Sequence, residues 1–211
     1  MAKRGRPAGF DRAEALQRAM ELFWARGYEG ATLEELQAAM GGISPPSFYN
    51  AFGSKEALFK EVADLYISTE CMPPVRALEE ARTARDGIEA MLRRAVESFS
   101  QPGKPRGCLL FLGATKCTPA NKGPQEYLLS IRQRAPEAIS GRLGRAVAEG
   151  DISPNADTNG IAAFYATVAQ GLAIRAGDGA SREHLMAAVD GAMAAWETLT
   201  GEPKARQCRR K

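Results

Sequence analysis

The sequence predicts an all-α fold of about nine helices, three short ones at the N-terminus and a longer helical set behind them. Three observations carry this. Apolar residues recur every three or four positions almost throughout, as on one face of a helix. No stretch alternates apolar and polar residues for long enough to suggest a half-buried sheet. Capping residues stand before most of the apolar runs, and glycine stands after several of them. The 211 residues, 45% of them hydrophobic, are enough for a sizeable core, in one large domain or one small plus one medium.

The first helix is expected to start at Asp11. Asp11 and Glu14 have capping-box spacing, Leu16, Ala19, Met20 and Phe23 form the apolar stripe, and Gly27 ends it. Thr32 caps a second helix, with Glu35 completing a capping box and Leu33, Leu36 and Met40 as the buried face; Gly41 and Gly42 stop it. Ser44 caps a short third helix with Pro45 and Pro46 in its first turn, where no amide hydrogen is needed. Ser54 caps a fourth, with Leu58, Phe59, Val62 and Leu65 at core spacing, and Pro73 and Pro74 mark a break. Beyond it, helices are expected at 75–83, 86–100 and 107–116, with 101–106 as a connector. A long helix over 124–149 is expected to kink or split at Pro136. A polar turn over 151–157 leads to two last helices, 157–176 and 181–200.

Composition narrows the function classes. No apolar run approaches the roughly 20 residues that cross a bilayer. No apolar stretch follows the basic start, so no signal peptide is read and the expected address is the cytoplasm. Cys71, Cys108, Cys117 and Cys208 form no CxxC pair and are expected to be thiols. Cys108 and Cys117 fall on opposite faces of a continuous helix, which disfavours a bond between them and leaves redox sensing a minor hypothesis. The lone histidine, His184, excludes zinc sites that need two, and it reads as an ordinary surface residue. No metal or cofactor is expected. The net charge is +3, but residues 1–10 carry +3 and residues 204–211 carry +5, leaving −5 on the body. Basic arms on an acidic body suit phosphate contact at the ends, although the C-terminal arm reads better as a solvated tail.

Residues 32–52 carry the strongest signal: two short capped helices around a glycine turn, the layout of a helix-turn-helix whose second helix enters a major groove. At about 100° per residue, Phe48 and Phe52 share an inward face, and Pro46 and Asn50 the opposite one, flanked by Ser47 and Tyr49. Asn50 is the candidate base reader, because an amide can hydrogen-bond adenine twice. Ser47 and Tyr49 suit phosphate oxygens, and Thr32 and Lys55 sit at helix N-termini that favour phosphate. Ser44, Pro46 and the arm residues Lys3, Arg4 and Arg6 complete the candidate DNA-binding set. Tyr49 also fits a half-buried aromatic, and Asn50 a solvated polar residue.

Thr32-Leu33-Glu34-Glu35-Leu36, Gly42-Ile43-Ser44 and Ser47-Phe48-Tyr49-Asn50-Ala51-Phe52-Gly53-Ser54-Lys55-Glu56-Ala57-Leu58 resemble the signature of the TetR family of transcriptional regulators. Ala19 to Gly27 fits it too, and Ala148-Glu149-Gly150-Asp151 resembles it more weakly. The resemblance implies a homodimer, a three-helix DNA-binding domain, a connecting helix and a variable ligand-binding domain. It also implies phosphate contacts at Thr32, Ser47, Tyr49 and Lys55. Two positions depart from the pattern. Gly41-Gly42 makes the turn one residue longer, which is expected to tilt the recognition helix or lengthen the helix before it. Ala51 stands where an aromatic or histidine is common.

On this reading the chain divides into an arm and helix-turn-helix (1–53), a connecting helix (54–72), a helical ligand-binding and dimerisation domain (73–202) and a basic tail (203–211) expected to be disordered. The expected partners are double-stranded DNA with a palindromic operator, a second copy of the chain and a small apolar or amphipathic effector; no membrane is expected. Phe164, Val168 and Leu172, with Leu185, Val189, Met193 and Trp196, form the candidate dimer stripes, and Gly171, Ala188, Gly191, Ala192 and Ala195 permit close helix approach. An ordinary intramolecular core accounts for part of both stripes. Met91, Phe99, Leu110, Phe111, Tyr127, Ile131, Phe164 and Gln170 are candidates to line an effector pocket, each also readable as core. No Walker A, G-x-G-x-x-G, G-x-S-x-G or metal-ligand cluster is present, so an enzyme is not expected. The alternative is a helical ligand-binding protein or small enzyme without DNA binding.

Overall fold

The structure is a computed structural model that describes residues 11–201. Lys3, Arg4, Arg6, Cys208 and the 203–211 tail lie outside the described residues.

The described chain is helical as expected, and its first helices form where the caps stand. Helix α1 (Arg12–Gly30) starts at Asp11, whose carboxylate accepts the amides of Ala13 and Glu14, and breaks at Gly27, where φ is 70°. A Cβ at Gly27 would also stand 3.0 Å from the Gly113 carbonyl oxygen, so both backbone and space demand glycine. Helix α2 (Leu33–Ala39) carries the full Thr32–Glu35 capping box. Helix α3 (Pro45–Phe52) is capped by Ser44, and α4 (Lys55–Tyr66) by Ser54. Three caps in 23 residues explain how helices this short persist, since an isolated helix of seven or eight residues does not hold in water.

The expected break at Pro73–Pro74 is not there. A π turn (Ile67–Cys71) joins α4 directly to α5 (Met72–Glu80), with both prolines in the first turn of α5. The π turn shifts the hydrogen-bond register, so the prolines meet a helix start instead of a helix interior. Helix α6 (Ala84–Phe99) follows; Asp151, from the polar turn far along the chain, accepts the Ala84 amide at 2.6 Å. The expected helix over 107–116 shrinks to the single turn α7 (Leu109–Leu112), because Gly113 ends it and residues 113–118 fold back as a loop. A 3-10 turn (Pro119–Asn121) leads into α8 (Lys122–Glu149), which Pro136 does not split. Leu128, Ile139 and Leu143 are buried on either side of the proline, and this packing outweighs one missing hydrogen bond. Helices α9 (Thr158–Gly177), α10 (Arg182–Ala194) and the short α11 (Trp196–Thr200) complete the fold.

Helix α1 packs on α4 and against α7, while α8 and α9 pack together and α6 lies against α5, α9 and α10. Phe23, Tyr28 and Phe59 meet ring to ring 5–6 Å apart at the base of the small N-terminal unit. Hydrogen bonds tie that unit to the α7 loops; among them, the Trp24 indole donates to the Gly107 carbonyl at 3.2 Å, and the Tyr28 amide donates to the Gly113 carbonyl at 2.7 Å.

Candidate nucleic-acid interface and effector cavity

The faces of α3 separate cleanly. Phe48 is fully buried and Phe52 nearly so, while Ser44, Pro45, Pro46, Ser47, Tyr49 and Asn50 are exposed on the other side. Tyr49 is half exposed, its ring edge-on to Phe48 at 5.4 Å, so its hydroxyl end points away from the core. The extra turn residue is absorbed locally. Gly41 and Gly42 both adopt positive φ, and the amides of Gly42 and Ile43 both donate to the Gln37 carbonyl. Helix α2 therefore ends at Ala39 and is not lengthened.

Arg12 holds α3 in place, a role that spacing along the sequence does not reveal. Its guanidinium lies 4.6 Å over the Phe52 ring, donates to the Ala51 carbonyl and pairs with Glu61 at 2.6 Å, linking α1, α3 and α4. A basic residue directly after the first cap is the one sequence signal for it. The pair itself is solvent-facing and contributes little energy; its value is geometric.

Among the other candidates, Ser44 and Ser47 share a hydroxyl contact at 2.9 Å on the exposed edge. Thr32 is exposed, but its hydroxyl is committed to Glu35, and hydrogen bonds from the Thr32 amide and then its hydroxyl hold the Glu35 carboxyl below its usual range. Lys55 is half-buried, with its ammonium 4.3 Å over the Tyr28 ring and close to Glu29 and Cys117. Burial lowers its pKa. The face of Lys55 is thus shared with the loop after α7. Glu29 clasps that loop by accepting the Thr118 amide and hydroxyl and the Asn121 side-chain amide at 2.8–3.0 Å.

Behind this unit lies an apolar cavity of about 410 Å³. Of the expected lining residues, Met91, Phe99, Leu110, Phe111 and Ile131 face it. Tyr127, Phe164 and Gln170 do not: Tyr127 donates to Asp64 at 2.5 Å, and Phe164 is surface-exposed. Tyr66, Glu70, Cys71, Cys108, Arg132 and Ile139 line it as well. These come from segments that periodicity cannot place opposite one another. Glu70 is buried and paired with Lys104 at 2.6 Å, and Arg132 donates to the Leu110 carbonyl at 2.9 Å, so these two polar groups are anchored at the walls.

The candidate dimer stripes need correction. Leu172, Leu185, Val189, Met193 and Trp196 are buried inside the chain itself, Trp196 beside Tyr165. Ala192 is buried too. They are the α6–α9–α10 core, since each helix has one wide apolar stripe and it faces its own neighbours first. The surface of α9 and α10 instead offers Phe164, Gly171 and Ile174, with Ala187, Ala188 and Gly191, and Val168 half-buried. Val168, Gly171, Ala188 and His184 edge a groove between the two helices. Open space surrounds Gly171 and Gly191.

Comparison with known proteins matches residues 15–62 to the family model described as bacterial regulatory proteins, tetR family. The chain is 31% identical over 197 residues to the HTH-type transcriptional repressor ComR of Escherichia coli (strain K12), covering 93% of each chain. It is 29% identical over 198 residues to the HTH-type transcriptional repressor BdcR of the same organism, covering 94% of this chain and 95% of BdcR. Among solved structures, a cysteine mutant of the TetR family transcriptional regulator CifR, complexed with 26-bp double-strand operator DNA, superposes with a TM-score of 0.87 at 43% identity. That match covers 90% of this chain and all of CifR.

Proposed function

Because the chain belongs to the TetR family of bacterial transcriptional regulators, we propose that it is a homodimeric repressor released from a palindromic operator by a small effector held in the α4–α9 cavity. One observation carries the DNA-binding part: the exposed polar side of α3, which offers Ser47, Tyr49 and Asn50 to a groove while Phe48 and Phe52 anchor the helix from below. In this reading Asn50 reads a base edge. Ser44, Ser47 and Tyr49 hold phosphates, and so do the first amides of α4 at Lys55. Two copies meet through the exposed α9–α10 face. That pairing sets two recognition helices about 34–36 Å apart, one turn of duplex.

The effector part rests on the cavity and its attachments. Its walls include Tyr66 and Cys71 of the connecting helix and Leu110 of α7, and α7 is bonded through Gly113 to Tyr28, four residues before the cap of α2. A ligand that prefers a shifted α4 or α7 thereby changes the spacing of the recognition helices. Tenfold release needs about 1.4 kcal/mol of differential affinity between the two arrangements. The cavity is mostly apolar, which suits an apolar or amphipathic effector.

A mobility-shift titration against the DNA upstream of the chain's own gene, at controlled salt, tests the reading. A specific shift is expected, and binding no tighter than to unrelated duplex refutes it. Tyr49→Ala is expected to weaken binding to every sequence by a similar factor while leaving the slope of log affinity against log salt nearly unchanged, because a neutral hydroxyl releases no counterion. Unchanged affinity, or a loss confined to particular sequences, removes Tyr49 from the phosphate set. Asn50→Ala is expected to cost about 1–3 kcal/mol at one base pair of each half-site and to relax preference there. Selection from random duplexes that returns the parental site removes that assignment.

A further inference from the structure

Cys71 and Cys108 are 37 residues apart in sequence, yet both line the cavity, and their thiols are hydrogen-bond partners. They come from different elements, the π turn below the connecting helix and the residue that starts α7. The Tyr66 hydroxyl also contacts the Cys108 sulfur. The two sulfurs are not equivalent. Cys108 is buried, which by itself raises its pKa, but Cys71, Tyr66 and the amides of Phe111 and Leu110 hold it below the usual thiol value. Cys71 is pushed well above that value by its hydrogen bond to Cys108 and by burial. Of the two sulfurs, Cys108 is therefore the more readily ionised. Cys117 takes no part: it lies beyond α7, near Glu29 and Lys55.

We propose that Cys71 and Cys108 form a reversible dithiol switch inside the effector cavity, oxidised by hydroperoxides that enter it. The step rests on the regulatory reading of that cavity. The Cys108 thiolate attacks an oxygen of the hydroperoxide; the O–O bond breaks, the alkoxide leaves and takes up a proton, and Cys108 becomes a sulfenic acid. The Cys71 sulfur then attacks the Cys108 sulfur. The S–S bond forms, the S–O bond breaks, and hydroxide leaves with the Cys71 proton as water. Two thiols lose two electrons, and the hydroperoxide is reduced to an alcohol and water. The new bond ties the end of the connecting helix to α7. Both elements lead to the DNA-binding unit, α4 directly and α7 through the Gly113–Tyr28 hydrogen bond. An apolar cavity favours an organic hydroperoxide over a strongly hydrated oxidant.

The test uses the full chain with Cys117→Ser and Cys208→Ser, so that only this pair remains. Protein is treated with cumene hydroperoxide and alkylated. Unreduced peptides are mapped by mass spectrometry, and operator binding is measured on the same samples. A cross-linked peptide joining residues 71 and 108, reversed by dithiothreitol, is expected, together with about a tenfold loss of operator affinity. Cys71→Ser and Cys108→Ser are each expected to abolish both. Cys71→Ser leaves the buried sulfur in place, so it keeps the test valid if Cys108→Ser fails to fold. The proposal is overturned if both thiols remain alkylatable after treatment, or if the cross-link forms and operator affinity is unchanged. A reduced protein that binds no operator overturns the regulatory reading instead, and the peptide map still scores the thiol pair on its own.

Discussion

Phe48→Ala is expected to lower stability by about 3–5 kcal/mol and to abolish operator binding, with a clear fall in Tm by circular dichroism. The ring is fully buried and packs 5.8 Å from Phe52 and 5.4 Å from Tyr49. Helix α3 has eight residues and cannot hold itself. Its position comes from the two inward rings, from the Ser44 cap and from Arg12 over Phe52. Removing the more deeply buried ring lets α3 detach while its polar face is chemically intact. DNA binding is therefore abolished although every residue proposed to touch DNA is unchanged. A variant with parental Tm and parental operator affinity would mean that α3 is anchored by something other than its phenylalanines.

Gly191→Glu is expected to convert the proposed dimer to monomer in sedimentation and to cost operator affinity by about two orders of magnitude or more, since an unpaired carboxylate buried in an interface costs about 3–5 kcal/mol. The same substitution is expected to leave the monomer folded. Gly191 is exposed, and open space surrounds it. Glutamate is also a better helix former than glycine, by up to about 1 kcal/mol. Trp196→Glu gives the contrasting result. Trp196 is buried within its own chain beside Tyr165, so a charge there is expected to unfold the regulatory domain and leave no intact monomer. A persisting Gly191→Glu dimer would place the subunit contact on another face.

The helix starts and helix faces of the N-terminal unit were legible in the sequence. Asp11, Thr32, Ser44 and Ser54 cap the helices they were expected to cap, and the inward and outward faces of α3 follow from spacing alone. These are local signals, each decided within one turn of helix. The regulatory domain was legible as helices and much less as surfaces. Five of the eight expected pocket residues line the cavity, while Tyr127, Phe164 and Gln170 turn elsewhere. Five of the seven expected interface residues turned out to be internal core. An apolar stripe reports that a face is covered and is silent on whether the cover is the same chain or another.

What the sequence determined by itself is therefore the all-α class, the capped helix-turn-helix and the side of α3 that meets solvent. Each depends on residues three or four positions apart. Only the tertiary structure decided that a π turn carries the chain through Pro73 and Pro74, that Gly171, Ala188 and Gly191 of α9 and α10 face outward while Ala192 turns inward, and that Cys71 meets Cys108 across a cavity. Those facts depend on packing between segments tens of residues apart, and nothing in the spacing of either segment records which neighbour it will find.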